Sequence, residues 1–551
     1  MAPISLAFLF LAPFLAILPS VSGRPVADPG EKLTPHAREL LSQDLVATLR
    51  SGLRDTDDAA YALQQHISKT SDVIDELAAL DESQVSKRAA AACRIADVVF
   101  PGQVFASKNP EYQLEQDFNW SQTCWLPAAC FIRLRNTHDV AAALKVIQHV
   151  GTKFAVRSGG HNPNAGFGSI DGSGVLLDLH GLDALELDDD GILHAGPGNT
   201  WGKVYDFLDP HGVSAIGGRH YTVGLPGFLL GGGMTFFPNQ YGLGTDSVVN
   251  YEVVIPNSSV VNANANENAD LFRALKGGGP NFGIVTRFDI QTHPLHHVQY
   301  ALHLYDPSDY VNILNATVSV QHAMEKDPKI GFFLNVNPTV IIAGLLYADW
   351  PANPPDAFTP FANLKSFWGP FIPTTNGTIA SLTSAINIGD FPAKREPYAA
   401  STKVDHELYV KVHEHYLQLL KTDMPSANLS YTIQPVSPST VQAGQERGGN
   451  SLGLKTVSQS WWAPLVEWFD DEDDAAAHKA LIDLGHSVGK YSRERGKALE
   501  YQFMNDASYT QTILDSYGGD SLDGLKEVAK RYDEEGLLQR LQNGGFLLRR
   551  L

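Results

Sequence analysis

Three glycine-rich loops, each joined to a predicted strand, constrain the fold of this chain more than any other sequence feature. The first follows a short strand predicted at 154–156, reads Arg157-Ser158-Gly159-Gly160-His161, and continues to Gly166. Glycines lack the Cβ that would keep a ligand away, and successive amide N–H groups in such a turn form a site for an anion. The loop predicts a phosphate-binding turn, although a tight turn with a surface histidine would have the same sequence.

Two further glycine loops favour the ligand-binding interpretation. The second reads Val223-Gly224-Leu225-Pro226-Gly227 and then Gly231-Gly232-Gly233, ahead of a strand predicted at 248–255. The third, Lys276-Gly277-Gly278-Gly279, lies between a helix and a strand predicted at 283–289. Two such loops can hold the two ends of a dinucleotide, so the set predicts a dinucleotide cofactor.

The order of predicted elements indicates an α+β fold. Since 551 residues exceed what one hydrophobic core usually serves, we expect two domains or one domain with a large insertion. Residues 93–296 alternate short strands with helices, the latter at 140–150 and 200–208. Residues 297–500 combine strands at 300–305, 330–336 and 340–347 with helices at 310–325 and 406–420, and proline-rich loops around 351–370 interrupt them. This second region predicts an antiparallel sheet covered by helices. A further helix is predicted at 525–532.

The N-terminal residues have the pattern of a secretion signal. Residues 4–18 are almost wholly apolar, and small residues follow up to Gly23, so 1–23 are predicted to be a cleaved signal peptide of a secreted protein. Residues 24–92 show polar, helical spacing and are predicted to be a helical extension. The pair Lys87-Arg88 stands before a run of alanines that we expect to be exposed, which predicts a maturation cleavage there.

The charge and the polar clusters argue against nucleic-acid binding, membrane binding and metal binding. The net charge of -20, without a basic patch, disfavours nucleic acid and anionic membranes as partners. No metal site is predicted. His413-Glu414-His415 is interpreted as a solvent-exposed face of a helix, and the acidic run at 470–474 as the N-terminal end of a helix. Oligomeric state is not predicted.

Secretion agrees with the sequons and cysteines. Five Asn-X-Ser/Thr triplets predict glycosylation at Asn119, Asn257, Asn315, Asn376 and Asn428. The three cysteines, Cys93, Cys124 and Cys130, allow one disulfide in an oxidising compartment and leave at least one thiol unpaired within a monomer.

Several long strings resemble a known family. They are RSGGHNPNAGFGSIDG, TVGLPGFLLGGG, NYEVV, ALKGGGPNFGIVTRFD, MNDAS, YGG and KRYDEEGLLQRLQNGGF. Together they resemble the berberine bridge enzyme-like branch of the FAD-linked oxidases, over residues 93–551, and look most like fungal members. The resemblance implies a two-subdomain PCMH-type FAD-binding domain at 93–296, a substrate domain at 297–500, and a C-terminal segment at 501–551 that returns to the FAD domain. It also implies a disulfide between Cys93 and Cys130, with Cys124 free.

The resemblance implies FAD joined covalently to His161. Val156 to Gly160 would hold the pyrophosphate, and other cofactor contacts are expected from a larger set: Gly166, His220, Val223, Gly224, Gly227, Gly231, Gly232, Gly233, Ile284, Val285 and Asn505. His220 stands where some members carry a cysteine that forms a second flavin bond, so a single bond is expected here. His220 itself is either a flavin neighbour or a packed histidine.

The implied reaction is that of an oxidase on a small organic alcohol or amine, such as an intermediate of specialised metabolism. Hydride would pass to the flavin and O₂ would reoxidise it to give H₂O₂; Val223 resembles the residue of members that react with oxygen. A carbohydrate oxidase and a cyclisation scaffold without net redox chemistry are the alternatives.

The catalytic base is the residue that the sequence identifies least. The strand predicted at 429–436 is expected to face the flavin, with Ser430, Thr432 and Gln434 on one face and Tyr431 on the other, so it presents no carboxylate. Tyr431 and Tyr347 are the candidates for acid–base catalysis. Asn505 is expected to lie beside the flavin.

Overall fold

The computed structural model describes residues 80, 83–294, 296–387, 389–422 and 424–551. The predicted signal peptide and almost all of the predicted helical extension lie outside these residues. Within the described ranges, no helix is both long enough and apolar enough to cross a membrane. The observed mixture of helices and three sheets confirms the α+β class.

Two of the sheets are built from residues 104–291. The first has the order β1-β2-β4-β3, and its strands are β1 (Val104–Ala106), β2 (Cys130–Arg133), β3 (Lys153–Arg157) and β4 (Gly174–Asp178). The second has the order β5-β6-β9-β7-β8, with β5 (Leu185–Leu187), β6 (Ile192–Ala195), β7 (Val248–Val254), β8 (Val260–Asn264) and β9 (Ile284–Gln291). β4 pairs in parallel with both neighbours and is buried throughout, which explains why it is apolar up to its last residue, Asp178.

The third sheet is antiparallel and lies within the predicted substrate domain. Its order is β13-β10-β12-β11-β16-β17-β15-β18, and β14 pairs with β17. The strands are β10 (Val298–Tyr305), β11 (Ile330–Val336), β12 (Ile341–Tyr347), β13 (Phe367–Gly377), β14 (Lys394–Pro397), β15 (Ala400–Lys403), β16 (Asn428–Val436), β17 (Gln459–Trp468) and β18 (Ala498–Leu499). β13 and β17 were missed from sequence. β13 carries Pro370 and Pro373, and it tolerates them because it is an edge strand.

Helices cover one face of the third sheet and flank the first two. The α-helices of the described residues are Val85–Val99, Tyr112–Gln116, Thr137–Val150, Trp201–Leu208, Leu225–Leu230, Pro238–Tyr241, Ala269–Leu275, Tyr310–Met324, Thr359–Ala362, Ile379–Ala385, His406–Leu419, Pro438–Glu446, Asp474–Glu494, Gly519–Tyr532 and Leu537–Leu541. The acidic run precedes and opens the helix Asp474–Glu494, as predicted.

The first helix corrects the predicted N-terminal boundary. Val85–Val99 crosses the expected border at 92/93, and Ala91, Ala92 and Cys93 belong to the core that packs against the first sheet. Lys87 and Arg88 lie inside this helix, and Arg88 Nη1 donates to the carbonyl of Val150 at 2.6 Å. The alanines that follow are not the exposed run that was expected, because Ala89, Ala91 and Ala92 are buried. Cleavage after Arg88 would require this helix to unwind.

The C-terminal segment packs on the first glycine loop. The Asn543 side chain donates through Nδ2 to the carbonyl of Gly166 at 2.9 Å. Its backbone N–H donates to the carbonyl of Phe154 in β3 at 2.7 Å. Asn164, three residues after His161, donates to the carbonyl of Ala507 at 2.9 Å and accepts from the Tyr509 amide at 2.7 Å. The segment therefore holds the loop that carries His161.

The predicted disulfide is present. Cys93 and Cys130 are bonded, with a Cα–Cα distance of 5.9 Å, and they tie the first helix to β2. Cys124 is free and 1% exposed, and burial raises the pKa of its thiol to about 11.

Thiol labelling follows from this arrangement. We expect no reaction of a bulky maleimide with the native protein, because Cys124 is buried and protonated. The non-reduced, denatured protein should label at Cys124 alone, and the reduced one at all three cysteines, as counted by intact mass. Labelling of Cys93 or Cys130 before reduction would contradict the pairing.

One predicted glycosylation site is wrong. Asn119 is only 4% exposed, and its amide donates to the carbonyls of Cys124 and Gly168, both at 3.3 Å, so an oligosaccharyl group has no room there. Asn257, Asn315 and Asn376 are exposed and Asn428 is half-buried, so these four remain predictions.

Candidate active site

The first two glycine loops touch each other through their backbones. A Cβ placed on Gly159 would lie 2.6 Å from both the Cα and the N of Gly224, and one on Gly224 would lie 2.7 Å from the N of Gly159. Only glycine permits this approach at either position. The contact sets the distance between the loop that carries His161 and the loop that begins the helix Leu225–Leu230.

His161 is held in a stack of three planar groups. The Trp120 indole lies against the imidazole, with ring centroids 4.4 Å apart and planes at 14°. On the indole lies the Arg395 guanidinium, 4.2 Å from the ring centroid. Arg395 comes from β14 and donates to Glu467 at 2.7 Å, so the third sheet supports the orientation of His161.

The imidazole of His161 carries a nitrogen with no partner. Nε2 is buried and forms no hydrogen bond within the described residues. Burial, with a smaller contribution from His220, lowers the pKa of His161 to about 3 against the opposing effect of Asp390. The side chain is therefore neutral at physiological pH, and one ring nitrogen keeps a free lone pair.

His220 and Asp390 complete the surroundings of His161. The two imidazole centroids are 5.3 Å apart, and His220 Nε2 lies 3.8 Å from Asp390 Oδ1. Asp390 also accepts from Trp120 Nε1 at 2.9 Å and from Thr222 Oγ1 at 2.8 Å. His220 is thus a neighbour of His161 and not a histidine packed elsewhere.

The same three residues form the one group in the described part of the chain whose ligand atoms lie close enough for a metal, within 4.8 Å. Asp390 already accepts two hydrogen bonds there, and the unpartnered nitrogen of His161 suits a covalent bond to an organic group equally well.

Arg157 does not contribute its side chain to a cofactor. Its guanidinium is 2% exposed and is taken by Glu115 and Asp178, with Nε donating to Asp178 Oδ2 at 2.9 Å. Burial alone would raise the pKa of Asp178, but Arg157 and His180 together outweigh it and hold that pKa well below the usual range. Only the backbone of Arg157 remains for the expected role, because its charge is already neutralised.

Most of the expected cofactor glycines serve protein packing. The space that a Cβ would take is filled by Asn505 at Gly231, by Leu452 at Gly232, by Phe228 at Gly233 and by Asn119 at Gly160. At Gly166 the nearest atom would be Asn543 Nδ2, at 3.3 Å. Gly227 differs, since a Cβ there would meet nothing within 4 Å. Gly227 therefore borders open space next to the contact between the two loops.

The two apolar residues expected beside the flavin are buried in the protein core. Ile284 and Val285 are 5% and 3% exposed, and they pack on opposite sides of β9 into two different cores. Their side chains are not free for a cofactor. Val223 and Val156 are half-buried, and Ser158 Oγ donates to the carbonyl of Pro197, so the hydroxyl of Ser158 is also used internally.

Neither tyrosine predicted as the base lies at the site. Tyr431 is fully buried among the helices behind the third sheet, where its hydroxyl lies 2.7 Å from His413 Nδ1. Burial raises the pKa of Tyr431 well above its usual value. Tyr347 is at the end of β12, and its hydroxyl donates to Asp327 Oδ2 at 3.0 Å. The strand alternation that put Tyr431 opposite Gln434 is correct, and it turns Tyr431 away from His161.

His413 also corrects the interpretation of the His413-Glu414-His415 cluster as a solvent-exposed face. It is 1% exposed and packs inside the same helical layer, with a pKa lowered by burial to about 4. The cluster is therefore partly core.

Asn505 lies at the second glycine loop, as expected. Its Nδ2 donates to the carbonyl of Gly227 at 2.7 Å, and its Oδ1 accepts from the Gly233 amide at 3.1 Å. The next residue, Asp506, is half-buried, and its Oδ2 accepts from Gln434 Nε2 at 2.6 Å. The other end of the Gln434 amide, Oε1, accepts from Arg219. Polar side chains from three distant segments therefore meet at this point.

Sequence reasoning missed Asp506, Arg219, Asp390 and Trp120 as members of the site. Asp506 and Arg219 adjoin Asn505 and His220, which were singled out, so a search of the immediate neighbours would have found both. No local pattern marks Asp390 or Trp120, because their contacts with His161 depend on packing between distant segments.

The residues present fit the FAD that the motifs imply. An unpartnered buried nitrogen at His161, two loops in backbone contact, and open space at Gly227 provide an attachment atom and a place for a dinucleotide. His161, Gly227 and Asn505 would hold it.

Comparison with known proteins agrees with this fit. The profile of an FAD binding domain family matches residues 128–264. An FAD-dependent monooxygenase of Arthrobotrys oligospora is 35% identical over 458 residues, which cover 83% of this chain and 89% of that protein. Among solved structures, Physcomitrella patens BBE-like 1 has a TM-score of 0.68 at 18% identity, over 82% of this chain and 99% of that one.

A second solved structure is a glucooligosaccharide oxidase from Acremonium strictum, described as containing 6-S-cysteinyl, 8α-N1-histidyl FAD. It has a TM-score of 0.65 at 18% identity and covers 79% of this chain and 95% of that one. At such identities the two structures establish a shared fold, while the fungal relative establishes kinship in sequence. The chain therefore belongs to the family of FAD-dependent oxidoreductases that includes this fungal monooxygenase, and it shares the fold of the berberine bridge enzyme-like proteins.

Proposed function

We propose that the protein is an oxidase that carries FAD on a single covalent bond to His161 and oxidises a small organic alcohol or amine. The observation that carries the proposal is the buried, unpartnered Nε2 of a neutral imidazole, beside two glycine loops in backbone contact. A neutral imidazole has the lone pair that bond formation to a flavin methyl group needs. The Acremonium strictum oxidase, on the same fold, is described with FAD linked through N1 of a histidine ring, which supports a histidine as the attachment residue.

FAD, when bound, supplies a two-electron acceptor for hydride and passes the electrons to O₂ as H₂O₂. The chain's own residues hold and orient it. Trp120 and Arg395 fix the plane of His161 and cover one side of it from water. Asn505 fixes the second glycine loop at Gly227 and Gly233, so the open space beside Gly227 keeps its shape.

The proposed substrate is a small or medium-sized molecule, with carbohydrate oxidation as the alternative. His220 stands in place of the cysteine of doubly linked members, and the doubly linked neighbour in this comparison is named for an oligosaccharide. This difference favours the smaller substrates. We also propose that the protein acts outside the cell, on the basis of residues 1–23. N-terminal sequencing of protein from the culture medium would test this, and a chain that still begins at Met1 would contradict it.

Peptide mapping tests the attachment. The holoprotein is precipitated with acid, which removes any flavin that is not covalently bound. The precipitate is digested with trypsin, and the flavin-bearing peptide is sequenced by mass spectrometry. We expect the FAD mass on the peptide that contains His161 and on no other. Flavin on a different residue, or flavin found only in the supernatant after acid precipitation, would overturn the proposal.

Monooxygenation is the second candidate function, because the fungal relative is named an FAD-dependent monooxygenase. The two reactions differ in the fate of O₂. An oxidase converts each O₂ to H₂O₂ and leaves no oxygen label in the organic product, whereas a monooxygenase places one atom of ¹⁸O₂ in it. We expect one H₂O₂ per product and no ¹⁸O. One ¹⁸O atom per product molecule would show that the protein is a monooxygenase and not an oxidase.

The pH dependence of flavin attachment follows from the low pKa of His161. An ordinary histidine, with a pKa near 6.5, would lose its free lone pair below about pH 6. His161, with a pKa of about 3, is neutral throughout the range above about pH 4. Apoprotein mixed with FAD should therefore reach the same covalent yield at pH 5 and pH 8, read as in-gel flavin fluorescence. A yield that falls to half near pH 6.5 would contradict the shift.

A further inference from the structure

We propose that Asp506 is the catalytic base, the residue that accepts the hydroxyl proton of the substrate, and that Arg219 and Gln434 position it. This inference rests on the proposed oxidase function and names the group for which sequence reasoning had no carboxylate.

A series of contacts and adjacent residues links Asp506 to the surroundings of His161. His161 lies beside His220, and the neighbouring Arg219 donates to Gln434. Gln434 donates to Asp506, and the adjacent Asn505 donates to Gly227, next to the open space. The series starts at the flavin attachment atom and ends at the second glycine loop. Asp506 therefore lies on the boundary of the region where the flavin and its substrate must meet.

Asp506 keeps an oxygen that the protein does not use. Gln434 occupies Oδ2, while Oδ1 accepts no hydrogen bond from any of the described residues. Two other carboxylates nearby differ in this respect. Asp390 receives hydrogen bonds on both oxygens, from Trp120 and Thr222. Glu396, 7% exposed, lies 2.8 Å from His478 Nδ1 and accepts from Ser508 at 3.1 Å. Among these three, Asp506 alone has an oxygen available to a substrate.

The surroundings of Asp506 strengthen it as a base. Burial raises the pKa of Asp506, and the hydrogen bond from Gln434 and the charge of Arg219 oppose this rise in part. The other titratable group that interacts with Asp506 is the buried Tyr501, whose own pKa is raised well above its usual value. Tyr501 therefore remains neutral, and its raised pKa makes Asp506 a stronger base than an exposed aspartate.

The neighbouring side chains indicate the kind of substrate. The Arg219 guanidinium lies 5.9 Å from the ring centroid of Phe333 on β11, and Gln434 is on the same face of the third sheet. An aromatic ring and fixed hydrogen-bond donors suit an unsaturated or aromatic alcohol. In the proposed step Asp506 would take the proton of the substrate O–H bond, while bound FAD would supply the acceptor for the hydride from the alcohol carbon, which leaves a carbonyl product. The proton from Asp506 and the two electrons would leave with O₂ as H₂O₂.

The test compares the holoproteins of the wild type, Asp506→Asn and, as a matched control, Asp515→Asn, an exposed residue of the same segment. Cinnamyl alcohol is the probe, and anaerobic bleaching of the flavin absorbance gives the reductive rate. The Asp506→Asn protein should retain acid-stable flavin and lose about 100-fold or more in rate, because a positioned general base contributes that much. Rates equal to the wild type in Asp506→Asn would overturn the proposal.

Thermal stability gives a readout that does not involve turnover. A raised carboxyl pKa means that the folded protein binds this proton more tightly than the unfolded chain, so stability is lost as pH rises above about 4. Asparagine keeps the hydrogen bond to Gln434 and does not titrate. The difference in Tm, Asp506→Asn minus wild type, should therefore be more favourable to the variant at about pH 8 than at about pH 4.5. An equal loss of Tm at both values would show a structural carboxylate and overturn the proposal.

The failure of this inference differs from the failure of the proposed function. If acid releases the flavin from the wild type, the attachment to His161 is wrong, whatever Asp506 does. If the flavin stays attached and the Asp506→Asn protein reacts as the wild type does, only the assignment of the base is wrong.

Discussion

Replacing His161 with alanine is expected to abolish acid-stable flavin, so that the precipitated protein is colourless while the wild type stays yellow. The expected change is from nearly complete covalent occupancy to none, because no other unpartnered nucleophilic nitrogen lies next to the two glycine loops within the described residues. His220 is close, but its Nδ1 lies 3.0 Å from Thr222 Oγ1 and its Nε2 is near Asp390. The measurement is in-gel fluorescence of the denatured protein, together with the visible spectrum after acid precipitation.

The fold should survive this replacement. His161 contributes one stacked contact with Trp120, worth about 1 kcal/mol. Trp120 keeps its contacts with Arg395 and Asp390. His220→Ala is the matched control and should keep the covalent flavin. Acid-stable colour in His161→Ala would place the attachment elsewhere, and loss of colour in both variants would point to a general failure of cofactor binding.

The position of His161 could be predicted because the relevant information is local. A strand, two glycines and a histidine in sequence determine that the side chain leaves the loop at the end of β3, and the structure agrees. The disulfide between Cys93 and Cys130 was predicted only through the family resemblance. Trp120, Arg395 and Asp390 surround the same imidazole, and no periodicity or motif relates them, because packing of the third sheet against the first glycine loop brings them there.

The wrong predictions also have physical causes. Tyr431 was placed correctly on its strand, but which face of a sheet is turned toward a cofactor is decided by the layer behind it, and here helices cover the Tyr431 side. The Arg157 side chain adds no charge to the expected phosphate-binding turn, because two buried carboxylates neutralise it, and the backbone role of 156–160 stays a prediction. Gly231, Gly232 and Gly233 were interpreted as a cofactor cradle, but Asn505, Leu452 and Phe228 fill the space beside them. A glycine run alone does not distinguish close packing against protein from close approach of a ligand.

This distinction gives the second prediction, in which two Gly→Ala replacements should have opposite consequences. Gly159→Ala places a Cβ 2.6 Å from two backbone atoms of Gly224, neither of which can rotate away as a side chain could. The loops must separate, at a cost of about 3 kcal/mol or more. We expect a large fall in Tm and loss of flavin together.

Gly227→Ala adds the same methyl group where nothing lies within 4 Å, inside the helix Leu225–Leu230. Alanine favours a helix over glycine by about 0.5–1 kcal/mol, so the apoprotein should keep or slightly increase its Tm. The methyl group would, however, occupy the space that we assign to the cofactor, and the flavin content per chain should fall. Tm and flavin absorbance, measured on the same preparations, separate the two cases. If Gly227→Ala bound FAD as the wild type does, the cofactor would not lie against this helix, and the second loop would serve only to hold the first in place.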